Sequence, residues 1–441
     1  MACLLVSSLK TKVLSHVPRI GSRFITCDKG GKKAVVVGMY SDDGTGSSSK
    51  LTPVGEQVNQ LVGGKLNEVL AGGGPRKYQV HVWEGEGEGE EEVSAVAVVG
   101  LGREDEEFDP QENYNQAHEK IRRAVGIGAR RLSEEGYSHL LIDGCDEPGC
   151  AAEGVGLALR YLEPPESGQA AKYVLEHFGD TSEEFQQGLF KAQAQNLARN
   201  LLDNSSLHSS PHSFAQASAE ALCPLKVGVE VYDKTWLEKM KMEGFLTAAK
   251  GSCEPPYLMK IHYNGGGKSI AIIGQGVTFN TGAASLKTCL STSEFRTDMA
   301  GAAVVVGVMR GAATLQLPVN LTAIVPLCEN MVSGMSMKQG DVILSMDNHT
   351  VQVECSSQAG RLAMADALYY SCSFRPSVTI DVATTTHDFE AVLGSSCSSV
   401  FTNNDDLWVQ LCQAGCSTGD RVWRFPLWKH FDRSLKGLCT P

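Results

Sequence analysis

The sequence predicts an α/β protein with two domains, and three observations support this fold class. The chain has 441 residues, more than one hydrophobic core usually organises. Apolar runs of strand length alternate with longer stretches of helical periodicity, which is typical of α/β domains with a largely parallel sheet. This alternation occurs twice, on either side of a polar stretch, NSSLHSSPHS, that begins at Asn204.

The first domain is predicted to span residues 33–181. The stretch NYNQAHEKIRRAVGIGARRL has the periodicity of a helix. Apolar runs on either side of it indicate four strands, AVVVGMY, YQVHVW, VSAVAVVGLG and HLLIDG.

Residues 1–32 are predicted to form a leader outside the folded domains. Four basic residues precede the first acidic residue, Asp28. Acid-poor starts that carry Ser and Arg resemble mitochondrial transit peptides, so a mitochondrial location is expected. The alternative is an ordinary disordered leader on a cytoplasmic protein.

Residues 182–203 are predicted to form a helix that joins the domains. Apolar residues recur there near helical spacing, and Ser182 precedes two acidic residues in the first turn. The second domain is predicted to cover residues 204–441. Its predicted strands are VGVEVY, YLMKIHY, SIAIIGQGVTF, NLTAIVPL and SVTIDVA.

The glycine-rich stretch GGGKS, at 265–269, is superficially like a phosphate-binding loop. It has His262 where that motif requires its first glycine, and a strand follows where the motif requires a helix. The sequence therefore predicts a hairpin turn here.

Charge and hydropathy exclude two classes of partner. The formal net charge is -12, whereas phosphate backbones require clustered Lys and Arg, so nucleic acid is not expected as a partner. No run of eighteen uncharged apolar residues occurs, so no membrane-spanning helix is predicted.

Four segments of the second domain carry a family resemblance. They are GQGVTFNTGAASLK at 274–287, EFRTDMAGAA at 294–303, PLCENMVSGMSMKQGDV at 326–342 and VQVECSSQAGRLAMADALYY at 351–370. In this order they resemble the leucyl aminopeptidase family, the cytosol aminopeptidases. The likeness covers the second domain and, more loosely, the joining helix and the first domain.

The resemblance implies a small α/β domain joined by a helix to a catalytic α/β domain with a central mixed sheet, assembled as a hexamer. It also implies an enzyme that removes N-terminal residues from peptides with two divalent metals, zinc or manganese, held by a lysine and carboxylates. Carried over to this sequence, the five ligand places are Gln275, Asn280, Asp298, Ser357 and Ala359. Only Asp298 keeps its metal-binding group.

The resemblance also assigns two catalytic places and a substrate cleft. The catalytic lysine is Lys287, and the arginine that holds a bicarbonate is Arg361. The segment that lines the cleft is ATTTHDF at 383–389, which places Thr384, Thr386 and His387 there. The chain ends soon after GDRVWRFPL, without the closing strand and helix of the family, so a shortened second domain is expected.

The replaced ligand places lead to a functional hypothesis. Two neighbouring dications require anionic oxygens to offset their repulsion, and one carboxylate does not supply them. We therefore expect no bound metal and no catalysis, and a structural or assembly role similar to that of sperm-specific family members in sperm mitochondria. The alternative is an active aminopeptidase with two divalent ions, Zn or Mn.

The expected partners follow from the same resemblance. They are further copies of this chain, as a hexamer, or paralogues in a joint assembly. Lys287 and Arg361 carry two positive charges against the single negative charge of Asp298. An anion or a peptide is therefore a further candidate ligand of the cleft, and the alternative is that both cations pair with Asp298 and Glu354.

Overall fold

The computed structural model describes residues 32–41, 49–85, 93–160, 173–179, 182–203, 210–285, 295–384 and 388–431. They group by contact into two compact units. The first unit holds the described residues up to Asn196 together with those from Ser399 onward, and the second unit runs from Leu197 to Ser398.

The first unit is built on a six-stranded, largely parallel sheet. Its strands are β1 (Lys33–Tyr40), β2 (Lys50–Leu51), β3 (Val80–Glu84), β4 (Val93–Gly102), β7 (His139–Ile142) and β8 (Val174–His177), and a separate hairpin is formed by β5 (Phe108–Asp109) and β6 (Tyr114–Asn115). The sheet order is β3-β4-β1-β7-β8, with β2 paired to β1. Strands β4, β1, β7 and β8 run parallel, as the alternating sequence pattern predicted.

Helices cover both faces of this sheet. They are α1 (Pro53–Leu61), α2 (Leu66–Ala71), α3 (Gln116–Glu134) and α4 (Pro148–Ala158). Side chains alternate along β1, so Val36 packs in one buried cluster with α3 and α4. Val35 and Val37 pack in the opposite cluster with α1 and α2. A strand buried on both faces reads as the continuous apolar run that the sequence shows.

The chain passes between the units in one long helix, α5 (Glu183–Asp203). The backbone N–H of Phe185 donates to the Ser182 hydroxyl at 3.3 Å, as a helix start requires. These bounds agree with the helix predicted at 182–203.

Residues beyond 398 group with the first unit, whereas the sequence assigned them to the second domain. They form α12 (Asp405–Thr418) and β18 (Val422–Arg424), which pairs with β17 (Ser398–Val400). The physical reason is bonding between segments far apart in the sequence: the Ser417 carbonyl accepts from Arg122 Nη2 at 2.7 Å, and Arg421 Nη1 lies 2.9 Å from Glu112 Oε2.

The second unit is built on a mixed sheet. Its strands are β9 (Gly228–Tyr232), β10 (Tyr257–Asn264), β11 (Ser269–Gly274), β12 (Gly276–Asn280), β13 (Asn320–Asn330) and β16 (Val378–Val382), with a small hairpin of β14 (Val342–Leu344) and β15 (Thr350–Gln352). The order is β16-β11-β13-β10-β9, and β12 also pairs with β13. Strands β16, β11, β12 and β13 are parallel, while β10 is antiparallel to β13 and to β9.

Helices again cover both faces. They are α6 (Pro211–Leu222), α7 (Lys234–Lys239), α8 (Glu243–Ala249), α9 (Ala300–Thr314), α10 (Ala359–Ser371) and α11 (Asp388–Leu393). Ile272 packs with α6 and α9 on one face, and Ile273 packs with α8 and α10 on the other. None of the described helices is long and apolar enough to span a bilayer.

Two local predictions differ from the structure. SIAIIGQGVTF forms two successive strands, β11 and β12, with Gln275 at the break between them. GGGKS is not a hairpin turn, because β10 and β11 lie on opposite sides of β13 and are not paired. It is a connection held at the start of β13, where the Gly266 N–H donates to Asn320 Oδ1 at 3.0 Å.

Candidate functional site

The five predicted ligand places meet beside the carboxyl ends of the parallel strands. Gln275 lies between β11 and β12, and Asn280 is the last residue of β12. Asp298 lies two residues before the start of α9, Ser357 lies in a short 3-10 helix, and Ala359 begins α10. This edge is where open α/β sheets position their ligands.

Asp298 is the hydrogen-bonding centre of this cluster. Its Oδ1 accepts from Gln275 Nε2 at 2.7 Å and from the Thr384 hydroxyl. Its Oδ2 accepts from Asn280 Nδ2 at 2.7 Å. Two places that the resemblance assigns to metal ligands therefore present amide N–H groups to the one carboxylate that remains, and the carboxylate, 5% exposed, is buried with them.

The orientation of the Asn280 amide is fixed from its other end. Its Oδ1 accepts from the Gly282 N–H at 3.0 Å and from Asn330 Nδ2 at 2.9 Å. Its Nδ2 donates a second hydrogen bond, to the Ser357 carbonyl at 3.0 Å. The full capacity of the amide is used, so Nδ2 and not Oδ1 faces Asp298.

Two glycines let the backbone approach Gln275 closely. A Cβ atom on Gly360 would lie 2.6 Å from Gln275 Cδ, and one on Gly301 would lie 2.0 Å from the Val382 carbonyl oxygen. The Gln275 backbone is held in turn, because its N–H donates to that Val382 carbonyl at 2.9 Å. Any larger residue at these two glycines would displace the Gln275 side chain or its backbone.

The remaining two ligand places contribute no carboxylate. Ser357 provides its backbone carbonyl to Asn280, and its hydroxyl lies 3.0 Å from Cys355 Sγ. Ala359 is fully buried and has no donor atom in its side chain. The hydrogen bond from Ser357 lowers the pKa of the Cys355 thiol.

The negative charge of the cluster also affects the pKa of the Cys328 thiol. This thiol lies within β13 and is fully buried. Burial raises its pKa, and the neighbouring negative charges of Asp298 and Glu329 raise it further. Cys328 therefore stays a neutral thiol and packs as a small apolar residue.

Arg361 lies on α10 with an exposed side chain. Among the described residues, no ion pair within 4 Å joins it to Asp298 or to Glu354, so the pairing with these acids, which was the alternative to a bound anion, is not seen for the arginine. Lys287, Thr386 and His387 lie outside the described residues.

Sequence reasoning missed Asn330 and Ser356. Asn330 Nδ2 donates to both Asn280 Oδ1 and the Ser356 carbonyl, each at 2.9 Å. The Ser356 hydroxyl donates to the Gly282 carbonyl at 2.8 Å and accepts from the Ser285 N–H at 3.1 Å. The available signal was that both residues lie in segments that carry the family resemblance, although no role was assigned to them there.

The donors present do not fit a pair of divalent ions. Among the described residues of the cluster, one carboxylate is available and both of its oxygens already accept hydrogen bonds. The described part of this unit holds no group of three His, Cys, Asp or Glu ligand atoms within metal-binding reach of one another. Neutral amides and hydroxyls do not offset the repulsion of two dications.

Comparison with known proteins identifies the family that this chain resembles along most of its length. Residues 196–439 match the family model "Cytosol aminopeptidase family, catalytic domain", and residues 36–159 match the N-terminal domain of the same family. The cytosol aminopeptidase of Bos taurus is 37% identical over 414 residues, covering 91% of this chain and 79% of that protein. The cytosol aminopeptidase of Homo sapiens is 36% identical over 429 residues, covering 95% and 82%.

A solved structure supports the fold. The bottromycin maturation enzyme BotP superposes with a TM-score of 0.73 at 24% identity, covering 92% of this chain and 83% of that one. At this identity the likeness concerns the fold alone. The two family matches and the relatives above show that this chain belongs to the cytosol aminopeptidase family.

Proposed function

We propose that this chain is a catalytically inactive member of the cytosol aminopeptidase family with a structural or assembly role. The observation that supports the proposal is the amide pair on Asp298. Gln275 and Asn280 each donate to a different oxygen of that carboxylate, both at 2.7 Å. The carboxylate oxygens accept hydrogen bonds from amide N–H groups at the place where the family resemblance requires metal ions.

Binding a metal here has a cost that follows from the bonds. Presenting Asn280 Oδ1 to an ion requires the amide to rotate, which breaks its bonds to Asp298, Ser357, Gly282 and Asn330. One of these is to a charged group, at about 1.5 to 3 kcal/mol, and three are neutral, at about 0.5 to 1.5 kcal/mol each. The rotated amide then supplies only a neutral oxygen, a poorer ligand for a dication than carboxylate.

Loss of the metals removes the chemistry that peptide hydrolysis needs. In such sites the ions polarise the peptide carbonyl and lower the pKa of the attacking water. Arg361 alone leaves both tasks undone.

Manganese content tests the proposal directly. The purified chain dialysed against Mn²⁺ is expected to hold far less than one ion per chain and to cleave leucyl amides no faster than buffer. Stoichiometric manganese together with turnover would overturn the proposal and establish the alternative, an active aminopeptidase with two divalent ions.

Restoring the ligands tests the cause. The variant Gln275→Lys, Asn280→Asp, Ser357→Asp, Ala359→Glu is expected to gain manganese binding, with circular dichroism confirming the fold. The matched control keeps Asn280 and carries the other three changes, so the amide still donates to Asp298. We expect no manganese binding in that control, and equal binding in both variants would show that Asn280 does not block the site.

The proposed assembly role requires partners, which are other protein chains of the same family. We propose that the chain forms a homo-oligomer, a hexamer by family resemblance, or a joint assembly with paralogues, and that it works in mitochondria, in sperm in particular. The support is the family membership and the acid-poor leader. Sedimentation equilibrium at several concentrations tests it, and a monomer at all of them would contradict the homo-oligomer.

A further inference from the structure

Three side chains with different metal-binding atoms meet in the first unit, away from the cleft. His118, Glu147 and Cys150 each offer one ligand atom, and these atoms all lie within 4.8 Å of one another. In the part of the chain that the structure describes, this is the one group of three such residues. The family resemblance assigns no ligand here.

Rigid elements hold the three residues. His118 lies in the first turn of α3, while Glu147 and Cys150 lie three apart at the start of α4. The two helices touch through their backbones: a Cβ atom on Gly154 would lie 2.2 Å from the Arg122 carbonyl oxygen. A site divided between closely packed helices is held more exactly in place than one on loops.

The His118 ring presents a lone pair to the other two ligands. Its Nδ1 lies 3.3 Å from the Ser417 carbonyl oxygen, and a carbonyl only accepts, so Nδ1 carries the proton. In the neutral ring Nε2 is then an acceptor, and it lies 3.6 Å from Glu147 Oε1. A ring nitrogen with a free lone pair beside a carboxylate is able to bind a cation, and an imidazole that donates its other N–H to a carbonyl is the usual arrangement of a metal-binding histidine.

The charges suit one dication. As ligands, a thiolate and a carboxylate supply two negative charges to one dication. The positive charge of Arg122 acts on Cys150, but this guanidinium is paired, because its Nε donates to Glu153 Oε2 at 2.7 Å. A thiol that coordinates a divalent ion releases its proton, so binding at Cys150 is accompanied by proton release.

We propose that His118 Nε2, the Glu147 carboxylate and Cys150 Sγ bind one zinc-type divalent ion, with water in the fourth position. Nitrogen, oxygen and thiolate ligands together suit zinc or cobalt better than the hard ions magnesium and manganese. The half-exposed Glu147 side chain, 47% accessible, gives the ion a route from solvent. Through the Ser417 carbonyl the bound ion would also fasten α12 to this unit.

Cobalt titration of the full-length chain tests the site, because a cobalt–thiolate bond absorbs in the near ultraviolet. We expect this absorption to saturate at one ion per chain, to be displaced by zinc, and to release about one proton per ion. Cys150→Ser should abolish the absorption. Cobalt held in the cleft of the second unit would be unaffected by that change, so the two sites are distinguished.

If the Cys150→Ser variant fails to fold because Cys150 is buried, the variants His118→Gln and Glu147→Gln still test the site, since both of these positions are partly exposed. Each should weaken zinc binding by at least about 10- to 100-fold, the loss that even outer-shell partners of metal ligands cause. The matched control is His139→Gln: His139 Nε2 lies 3.0 Å from Glu176 Oε2 in the same unit without a thiol. It should bind zinc as the parent does. Absence of zinc binding by the parent, cobalt absorption that persists in Cys150→Ser, or equal losses in the control would each overturn the proposal.

Discussion

Replacing Asn280 by aspartate gives the sharpest test of the hydrogen-bonded cluster. The change is nearly isosteric, but it exchanges the Nδ2 donor for an oxygen that faces Asp298 Oδ2, now 2.7 Å from that donor. Asn280 is 2% exposed and Asp298 is 5% exposed, so water does not screen the new pair of carboxylates. The cluster loses its bonds to Asp298 and to the Ser357 carbonyl.

The magnitude follows from these two bonds. The bond to the carboxylate contributes about 1.5 to 3 kcal/mol and the bond to the carbonyl about 1 kcal/mol. A proton shared between the two carboxyl groups returns part of this, so we expect a loss of about 3 kcal/mol at neutral pH. For a unit of this size such a loss corresponds to a fall of about 6 to 12 °C in the unfolding temperature.

The loss should depend on pH in a defined direction. Two buried carboxyl groups in contact raise the pKa of one of them, so the folded variant keeps a proton that the unfolded chain releases. Its free energy of unfolding is therefore highest below the unfolded pKa, about 4, and falls by about 1.4 kcal/mol per pH unit above it until the raised pKa is reached. The parent lacks this pair, and buried acids such as Asp366 and Asp420, whose pKa burial raises, are common to both proteins, so the variant should show the steeper fall.

Scanning calorimetry between pH 4 and pH 8 measures both effects. The matched control is Asn320→Asp, because Asn320 Oδ1 likewise accepts a backbone N–H, from Gly266 at 3.0 Å, but at an exposed site. Mn²⁺ should raise the unfolding temperature of Asn280→Asp and not that of the parent. If Asn280→Asp unfolds at the parent temperature at pH 7, or if Asn320→Asp loses as much, the cluster does not stabilise the unit as described.

Three further predictions concern the anion, the cysteines and the leader. Bicarbonate or phosphate at fixed ionic strength should raise the unfolding temperature of the parent more than that of Arg361→Ala. The reason is that the guanidinium has no ion-pair partner among the described residues and offers a forked set of donors to an oxyanion. Equal shifts in the two proteins would show that the anion binds elsewhere. Cys355, whose pKa is lowered by Ser357, should react with iodoacetamide faster than the buried Cys328, and Ser357→Ala should slow the reaction of Cys355. Mass spectrometry of the alkylated peptides measures both rates, and the reverse order would contradict the prediction. Residues 1–30 fused to a fluorescent reporter should direct it to mitochondria, and a reporter that stays in the cytosol would remove this part of the proposal.

The fold class follows from the sequence because its signals are local and repeated. The continuous apolar run of Lys33–Tyr40 and the helical periodicity at 116–134 each arise from a few neighbouring residues. The break at Gln275 could not be predicted, since SIAIIGQGVTF reads as one apolar strand. It arises from the tertiary contact of the Gln275 N–H with the Val382 carbonyl, which no local pattern records.

The sequence by itself determined that a family fold is present and that four of its five ligand places are replaced, because the motif segments fix those positions one by one. Only the tertiary structure decided what the replacements do. The Asn280 amide turns its N–H group to Asp298 because Asn330, fifty residues further along the chain, donates to its oxygen, and the Gln275 amide donates to the same carboxylate. In the same way, His118 and Cys150 are brought together by the packing of two helices, an association between distant segments that sequence spacing does not encode.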